Sequence, residues 1–193
     1  MRIVVDWDGT VTVRDSLVAA IHALGDPSVY EREFESFGDA LAAEVATMRC
    51  SEEDLASWAL EQVEIRPGFH EFAERYEPMI LSSGLPQIIA PVLRREGLER
   101  LEVRANAAEP STGGWRLEFR HGGPCGACGD RCKRASLPAQ RPLVFVGDGH
   151  SDRCASLAAD RVFARAGLAR YLQDEGVPYE PYETFFDVAA ALS

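Results

Sequence analysis

Short apolar runs alternate with helical segments along the chain, and this alternation constrains the fold more than any other feature. Residues 2–7, 78–83, 142–149 and 161–165 are short apolar runs with the character of buried strands, and the first of them is rich in β-branched residues. The segments between them carry apolar residues at helical spacing. Strands that alternate with helices form a parallel sheet with helices on both faces. The sequence therefore predicts an α/β fold with a parallel sheet covered by helices.

The segment 15–66 differs from the rest because its apolar spacing is helical throughout, with no strand among the helices. Ser51 with Asp54 predicts the start of one of these helices, since a serine and an acid three residues later form a capping box. A helical block inserted after the first strand is expected to lie above the sheet. We predict a helical cap subdomain at 15–66 and a catalytic core formed by 1–14 and 67–193.

A β-hairpin is predicted before the only lysine of the chain, Lys133. The runs 101–106 and 115–119 both alternate apolar and polar residues, and a Thr-Gly-Gly turn signal precedes the second run. A cysteine-rich loop with the sequence HGGPCGACGDRCKR leads from there to the lysine.

Polar side chains follow three of the predicted strands. Asp6, Ser82 and Asp148 each end a strand, and ligands of open parallel sheets bind at the carboxyl ends of strands. Carboxylates that converge on one site repel each other unless a hard cation lies between them, and Mg²⁺ suits oxygen ligands and a phosphate. The sequence therefore predicts a magnesium site at this edge.

The pair Asp6 and Asp8 predicts phosphoryl-transfer chemistry at the same edge. A carboxylate that stays ionised beside a metal can attack phosphorus, and a second carboxylate can protonate the leaving oxygen and later activate water. Ser82 and Lys133 are candidates to bind the oxygens of the transferred group.

Four segments of the sequence, in order, resemble the four motifs of the haloacid dehalogenase superfamily. They are DWDGT (6–10), SSG (82–84), Lys133 and GDGHSD (147–152). The resemblance implies a Rossmann-like core with Asp6 as nucleophile, Asp8 as general acid and base, and Lys133 as the catalytic lysine. It implies phosphate binding by Ser82, Ser83 and Gly84. It also implies Mg²⁺ binding by Asp6, the backbone carbonyl of Asp8, Asp148 and Asp152.

The helical insert is similar to the cap of the phosphoserine-phosphatase-like branch of that superfamily. The tail from residue 147 resembles proteins similar to methionine-salvage diketo-phosphate phosphatases. Asp15 stands where phosphoserine phosphatases carry a glutamate that holds the substrate ammonium, and it is a shorter acid. It is a candidate substrate-binding residue, with capping of the following helix as the alternative.

The expected function is that of a magnesium-dependent phosphatase that hydrolyses a small phosphorylated metabolite through an aspartyl-phosphate. A phosphomutase or phosphotransferase of the same superfamily is one alternative. A non-catalytic phosphate-binding protein with the same fold is the other, although a protein that only binds phosphate has no need for both Asp6 and Asp8.

The net charge of −11 argues against nucleic acid or an anionic membrane as the main partner. No apolar run reaches membrane length, and the first residues lack the plan of a signal peptide, so we expect a cytoplasmic protein. We expect a monomer or homodimer.

The cysteine-rich loop is a candidate structural zinc site. Cys125, Cys128 and Cys132 have the spacing C-x2-C-x3-C, and His121 lies four residues before the first of them. Three thiolates and one imidazole form a closed tetrahedral Zn²⁺ site. The alternative is a flexible loop with reduced thiols. Cys154 lies on a predicted helix and is expected to be a small buried apolar residue.

Overall fold

The computed structural model describes residues 1–193, which form eight strands and eight α-helices. In chain order these elements are β1 Arg2–Val5, α1 Ser16–Leu24, α2 Phe37–Ala46, α3 Glu52–Gln62, α4 Phe69–Tyr76, β2 Met79–Leu81, α5 Pro86–Arg95, β3 Val103–Arg104, β4 Ala107–Ser111, β5 Gly114–Glu118, β6 Leu143–Gly147, α6 Arg153–Ser156, β7 Arg161–Ala164, α7 Ala166–Asp174, β8 Glu180–Pro181 and α8 Phe185–Ala191.

Six of the strands form one parallel sheet in the order β3-β2-β1-β6-β7-β8. The first strand lies inside this sheet, where Val4 pairs with Met79 of β2 on one side and with Phe145 of β6 on the other. The predicted α/β fold with a helix-covered parallel sheet is therefore confirmed.

Both faces of the sheet are buried, which explains why its strands are continuous apolar runs. Side chains on a strand point alternately to the two faces. Val4 and Phe145 accordingly pack in one apolar cluster, while Val5 and Val146 pack in the larger cluster on the opposite face. All four side chains are buried.

The predicted hairpin is present, but the predicted position of its first strand is wrong. The strand β4 at Ala107–Ser111 pairs with β5, while the predicted partner run 101–106 contributes β3 to the edge of the main sheet. Two features of β4 make it difficult to predict from the sequence. Its residues do not alternate in polarity, and it contains Pro110, which lacks the N–H that a paired strand donates.

Helices α1, α2 and α3 follow one another between β1 and α4, as the sequence predicts. The capping box of Ser51 and Asp54 is present at the start of α3. Helix α3 packs against α5, and α2 packs against β5 of the hairpin. The division into a cap at 15–66 and a surrounding core stays a prediction. None of the helices has the length and apolar character that a membrane crossing requires.

Candidate active site

The carboxyl ends of the three central strands bring the predicted polar residues together. Asp6 follows β1, Ser82 follows β2 and Asp148 follows β6, and these strands are neighbours in the sheet. Because the strands are parallel, their ends meet at one edge. Lys133 reaches the same edge from the loop that follows β5.

Lys133 joins two of the acidic residues. Its ammonium donates one hydrogen bond to Oδ1 of Asp6 and another, of 2.7 Å, to Oδ1 of Asp152. All three residues are buried. The backbone N–H of Trp7 donates a second hydrogen bond to Oδ1 of Asp6, at 2.6 Å. These two donors fix the orientation of the Asp6 carboxylate.

The site holds more negative charge than one lysine neutralises, and the pKa values of its residues reflect this. Burial works to lower the pKa of Lys133, but the Asp152 and Asp6 carboxylates outweigh it and raise that pKa above its ordinary value. Burial, and then repulsion by Asp152, raises the pKa of Asp6 well above its usual value. The same two causes raise the pKa of Asp148 to about 6.

The donor set at this edge fits a divalent cation. Oxygens of Asp6, Asp148 and Asp152 lie within 4.8 Å of one another, and Lys133 forms ion pairs with the first and the third of these residues. A hard cation bound by such oxygens would stabilise the ionised carboxylates and lower their pKa values. Each side chain is also held in place. Thr10 donates to Oδ1 of Asp148 at 2.8 Å, and two backbone N–H groups donate to Oδ2 of Asp152 at 3.0 Å each.

The carboxylate of Asp8 lies outside that acidic cluster, so its part in metal binding would fall to its backbone carbonyl. Its Oδ1 accepts hydrogen bonds from the backbone N–H and hydroxyl of Ser16 and from the N–H of Leu17, at the start of α1. A Cβ at Gly84 would lie 2.7 Å from Oδ2 of Asp8, so this oxygen faces the second motif. Burial raises the pKa of Asp8, which favours a carboxyl that can donate a proton.

The second motif forms a tight turn after β2. The hydroxyl of Ser82 is buried and accepts a hydrogen bond of 2.8 Å from the N–H of Gly84. The carbonyl of Ser83 accepts a hydrogen bond of 2.8 Å from the side chain of Asn106. The turn is therefore fixed from both sides, with Gly84 next to Asp8.

Asp15 caps helix α1, the alternative that the sequence left open, because its Oδ1 accepts a hydrogen bond of 2.8 Å from the N–H of Val18. It also lines a cleft of about 450 Å³ between α1 and α3. Desolvation by the surrounding protein, and then the charge of Asp8, raises the pKa of Asp15 to about 7. The predicted contact of Asp15 with substrate stays a prediction.

Arg66 supports the site, although the sequence predicts no role for it there. Its guanidinium is buried and donates to the carbonyls of Thr10 and Gly9, both at 2.7 Å, and of Thr12 at 3.0 Å. It thereby holds the loop that directly follows Asp8. It is one of 19 arginines, and nothing in its sequence neighbourhood distinguishes it from the others.

The structure groups the candidate zinc ligands differently from the sequence. The sulfurs of Cys125, Cys128 and Cys132 lie together, and the fourth member of the cluster is Cys154 rather than His121. The His121 ring instead contacts the hydroxyl of Ser136. Cys154 is buried, as predicted, yet it faces three other thiols on a neighbouring loop.

The chain is similar over its whole length to curated bacterial phosphatases, although no family model matches it. A 2-hydroxy-3-keto-5-methylthiopentenyl-1-phosphate phosphatase of Geobacillus kaustophilus is 28% identical, with 97% of this chain and 93% of the relative aligned. The protein with the same name from Bacillus mycoides is 26% identical, with 100% and 95% aligned.

Solved structures share the fold at lower sequence identity. A phosphoserine phosphohydrolase-like protein from Francisella tularensis has a TM-score of 0.71 at 16% identity, covering 100% of this chain and 99% of that one. A phosphoserine phosphatase from T. onnurineus has a TM-score of 0.69 at 19% identity, covering 97% and 91%. A phospho-aspartyl intermediate analogue of phosphoserine phosphatase has a TM-score of 0.67 at 15% identity, covering 94% and 93%.

Proposed function

We propose that this chain, a phosphatase of the haloacid dehalogenase type, hydrolyses a small phosphomonoester through a covalent phosphoryl group on Asp6. The observation that carries this proposal is the position of Lys133, which binds Asp6 and Asp152 at the carboxyl edge of the sheet. An oriented, buried carboxylate beside an ammonium is suited to attack a phosphoryl group whose negative charge would otherwise repel it.

In the first step, an oxygen of Asp6 forms a bond to phosphorus and the ester P–O bond breaks. The leaving alkoxide takes the proton of Asp8, whose raised pKa keeps that carboxyl protonated at higher pH than usual. The position of Asp8 Oδ2 beside Gly84 directs it toward the turn that we assign to phosphate binding. Lys133 stabilises the charge on the transferred group.

In the second step, water attacks phosphorus while the carboxylate of Asp8 accepts its proton. The bond between phosphorus and the Asp6 oxygen breaks, inorganic phosphate leaves, and Asp6 returns to its starting state. Ser16 holds Asp8 in the same orientation for both proton transfers, because both of its donors bind Oδ1 and leave Oδ2 to the reacting atoms.

Mg²⁺ bound by Asp6, Asp148, Asp152 and the backbone carbonyl of Asp8 would neutralise the phosphoryl oxygens and keep the nucleophile ionised. The acidic cluster supports this assignment because its sidechain oxygens lie within 4.8 Å of one another. Lys133 forms ion pairs with both Asp6 and Asp152, so a cation at this position would offset the negative charge of the three carboxylates that one ammonium leaves.

The cleft beside Asp15 suggests which substrate to test first. Trp58 and alanines of α1 line this cleft together with polar side chains, which would suit a substrate with both apolar and polar groups. A carboxyl with a pKa of about 7 can donate as well as accept a hydrogen bond at neutral pH, which suits hydroxyl and keto groups. The named relatives favour 2-hydroxy-3-keto-5-methylthiopentenyl-1-phosphate over phosphoserine.

The test compares phosphate release from that compound, phosphoserine and an aryl phosphate, with and without added Mg²⁺. We expect release to require Mg²⁺ and the keto phosphate to have the highest kcat/KM. The variant Asp15→Asn keeps the cap of α1 but removes the acid, and we expect it to change KM for the keto phosphate more than for the aryl phosphate. No release from any phosphomonoester in the presence of Mg²⁺ would contradict the proposed function.

A further inference from the structure

Four cysteines from two separate segments place their sulfurs within 4.8 Å of one another. The segments are the loop 125–132, which supplies Cys125, Cys128 and Cys132, and helix α6, which supplies Cys154. From this cluster we infer a structural Zn²⁺ site with four thiolate ligands that joins the cysteine-rich loop to α6. The site lies outside the acidic cluster and does not depend on the proposed phosphatase reaction.

The distances between the sulfurs fit one tetrahedral ion. Four thiolates at about 2.3 Å from zinc lie about 3.8 Å from one another. The sulfurs of Cys125 and Cys154 are 3.9 Å apart, and no pair in the cluster exceeds 4.8 Å. An iron–sulfur cluster would need room for several iron and sulfide ions between the thiolates, so this spacing favours a single ion.

The backbone around Cys125 has the form of a metal-binding turn. The N–H of Gly129 donates to the carbonyl of Cys125 at 2.8 Å, and the N–H of Cys125 donates to the carbonyl of Asp130 at 2.7 Å. Gly129 turns the chain with a φ of +75°, which glycine adopts without strain. The N–H of Ala127 points at the sulfur of Cys125 at 3.4 Å, and such bonds stabilise a metal-bound thiolate.

Two arginines lie beside the cluster. Zinc with four thiolates carries a net charge of −2, in a chain that is already acidic. Arg131 and Arg153 line a cavity of about 150 Å³ together with three of the four cysteines. The Nε of Arg153 is buried without a hydrogen-bond partner in the structure. These guanidinium groups would offset the charge of the site.

The glycines of the loop have little packing around them. A side chain added at Gly122, Gly123, Gly126 or Gly129 would meet nothing within 4 Å, so this part of the loop is poorly packed. Ordering a glycine-rich segment is entropically costly, and metal binding can supply the required free energy.

The position of the ion would connect it to the acidic edge of the sheet. Cys132 directly precedes Lys133, and Cys154 lies two residues after Asp152, so the ion would hold both partners of the Lys133–Asp152 ion pair. Asp130, between two of the ligands, accepts hydrogen bonds from the N–H groups at the start of α2. Zinc would therefore also hold the contact between the loop and the helical segment.

The test begins with elemental analysis of the full chain, purified without chelator. We expect about one zinc per chain. The Co²⁺-loaded protein should show the absorption of a four-thiolate tetrahedral site, in which sulfur-to-cobalt charge-transfer bands are strong. Exposed Cys128 should resist alkylation until a strong chelator removes the metal. These measurements need no variant, so they hold even where a substitution prevents folding.

Two variants distinguish the fourth ligand. We expect Cys154→Ser to lose most of its zinc, while His121→Asn and the control Cys50→Ser keep it. The inference would be overturned by a chain that binds no zinc or Co²⁺ when supplied with either. Disulfides among the four cysteines, or loss of zinc from His121→Asn but not from Cys154→Ser, would overturn it equally.

Discussion

The ammonium of Lys133 lies 2.7 Å from Oδ1 of Asp152, and neither side chain is exposed by more than 1%. The two residues come from different segments, the cysteine-rich loop and the turn after β6. Their contact brings the loop to the carboxyl edge of the sheet, where the same ammonium reaches Asp6. The proposed reaction depends on this arrangement, because it places a fixed positive charge beside the nucleophile.

Lys133→Met should destabilise the fold and slow turnover. Without its charge, the buried Asp6 and Asp152 carboxylates repel each other, and we expect the free energy of unfolding at pH 8 to fall by about 3–5 kcal/mol without divalent cation. Added Mg²⁺ should restore part of that loss. Turnover should fall about 10²–10³-fold. Urea unfolding and steady-state kinetics measure the two effects. The exposed variant Arg141→Met is the matched control, and equal behaviour of both variants would refute the assignment.

Asp8→Asn should slow hydrolysis of substrates with poor leaving groups most strongly. The loss for an alkyl phosphate should be about 10²–10⁴-fold, because its alkoxide needs a proton from the enzyme. For the nitrophenyl ester the first step should be affected much less, since nitrophenolate leaves without a proton. The comparison requires pre-steady-state release of the leaving group. Equal losses in that step for both esters would show that Asp8 does not act as the general acid.

Glu44, on helix α2, should make the free energy of unfolding depend on pH. Burial raises its pKa from about 4.5 to about 7, so the folded state binds this proton more tightly than the unfolded chain does. Its contribution to stability is therefore present below pH 4.5 and is lost as the pH rises through 7. At pH 8, the free energy of unfolding of Glu44→Gln should be about 1–2 kcal/mol higher than that of the wild type. This is less than the full pKa shift implies, because Glu44 is partly exposed. Unfolding curves between pH 5 and 8 test this, with the exposed variant Glu99→Gln as the control. A lower stability of Glu44→Gln than of the wild type at pH 8 would contradict the prediction.

Arg66→Met should damage the loop that directly follows Asp8. Three carbonyls of that loop would lose a buried charged donor, and we expect a destabilisation of about 3 kcal/mol or more. Because this loop is joined directly to Asp8, kcat should also fall, while KM changes less. Arg141→Met again serves as the control for removing a guanidinium. Unchanged stability of Arg66→Met would mean that the loop holds its conformation without these bonds.

The sequence predicted the sheet and its acidic edge well because local pattern determines both. Strands buried on both faces are continuous apolar runs, and Asp6 and Asp148 end two such runs next to each other in the sheet. Local pattern made Lys133 only a candidate, and its catalytic role came from the family resemblance, because a long loop separates it from the preceding strand.

The parts that the sequence missed depend on tertiary contacts. Cys154 meets the other thiols because β6 and the turn after it carry α6 back to the loop, whereas the His121 ring contacts the hydroxyl of Ser136. Arg66 acts on carbonyls more than fifty residues away, and such a contact leaves no local pattern.

The covalent step on Asp6 is the central claim, and mass spectrometry of a trapped intermediate tests it most directly. The variant Asp8→Asn should form the phosphoryl–Asp6 bond with a nitrophenyl ester but hydrolyse it slowly, since no carboxylate activates water. After acid quenching, peptide mapping should find one phosphoryl group on Asp6, and the double variant with Asp6→Asn should carry none. A wild-type enzyme that turns over while Asp8→Asn shows no phosphorylated Asp6, or the same label in the double variant, would contradict the account.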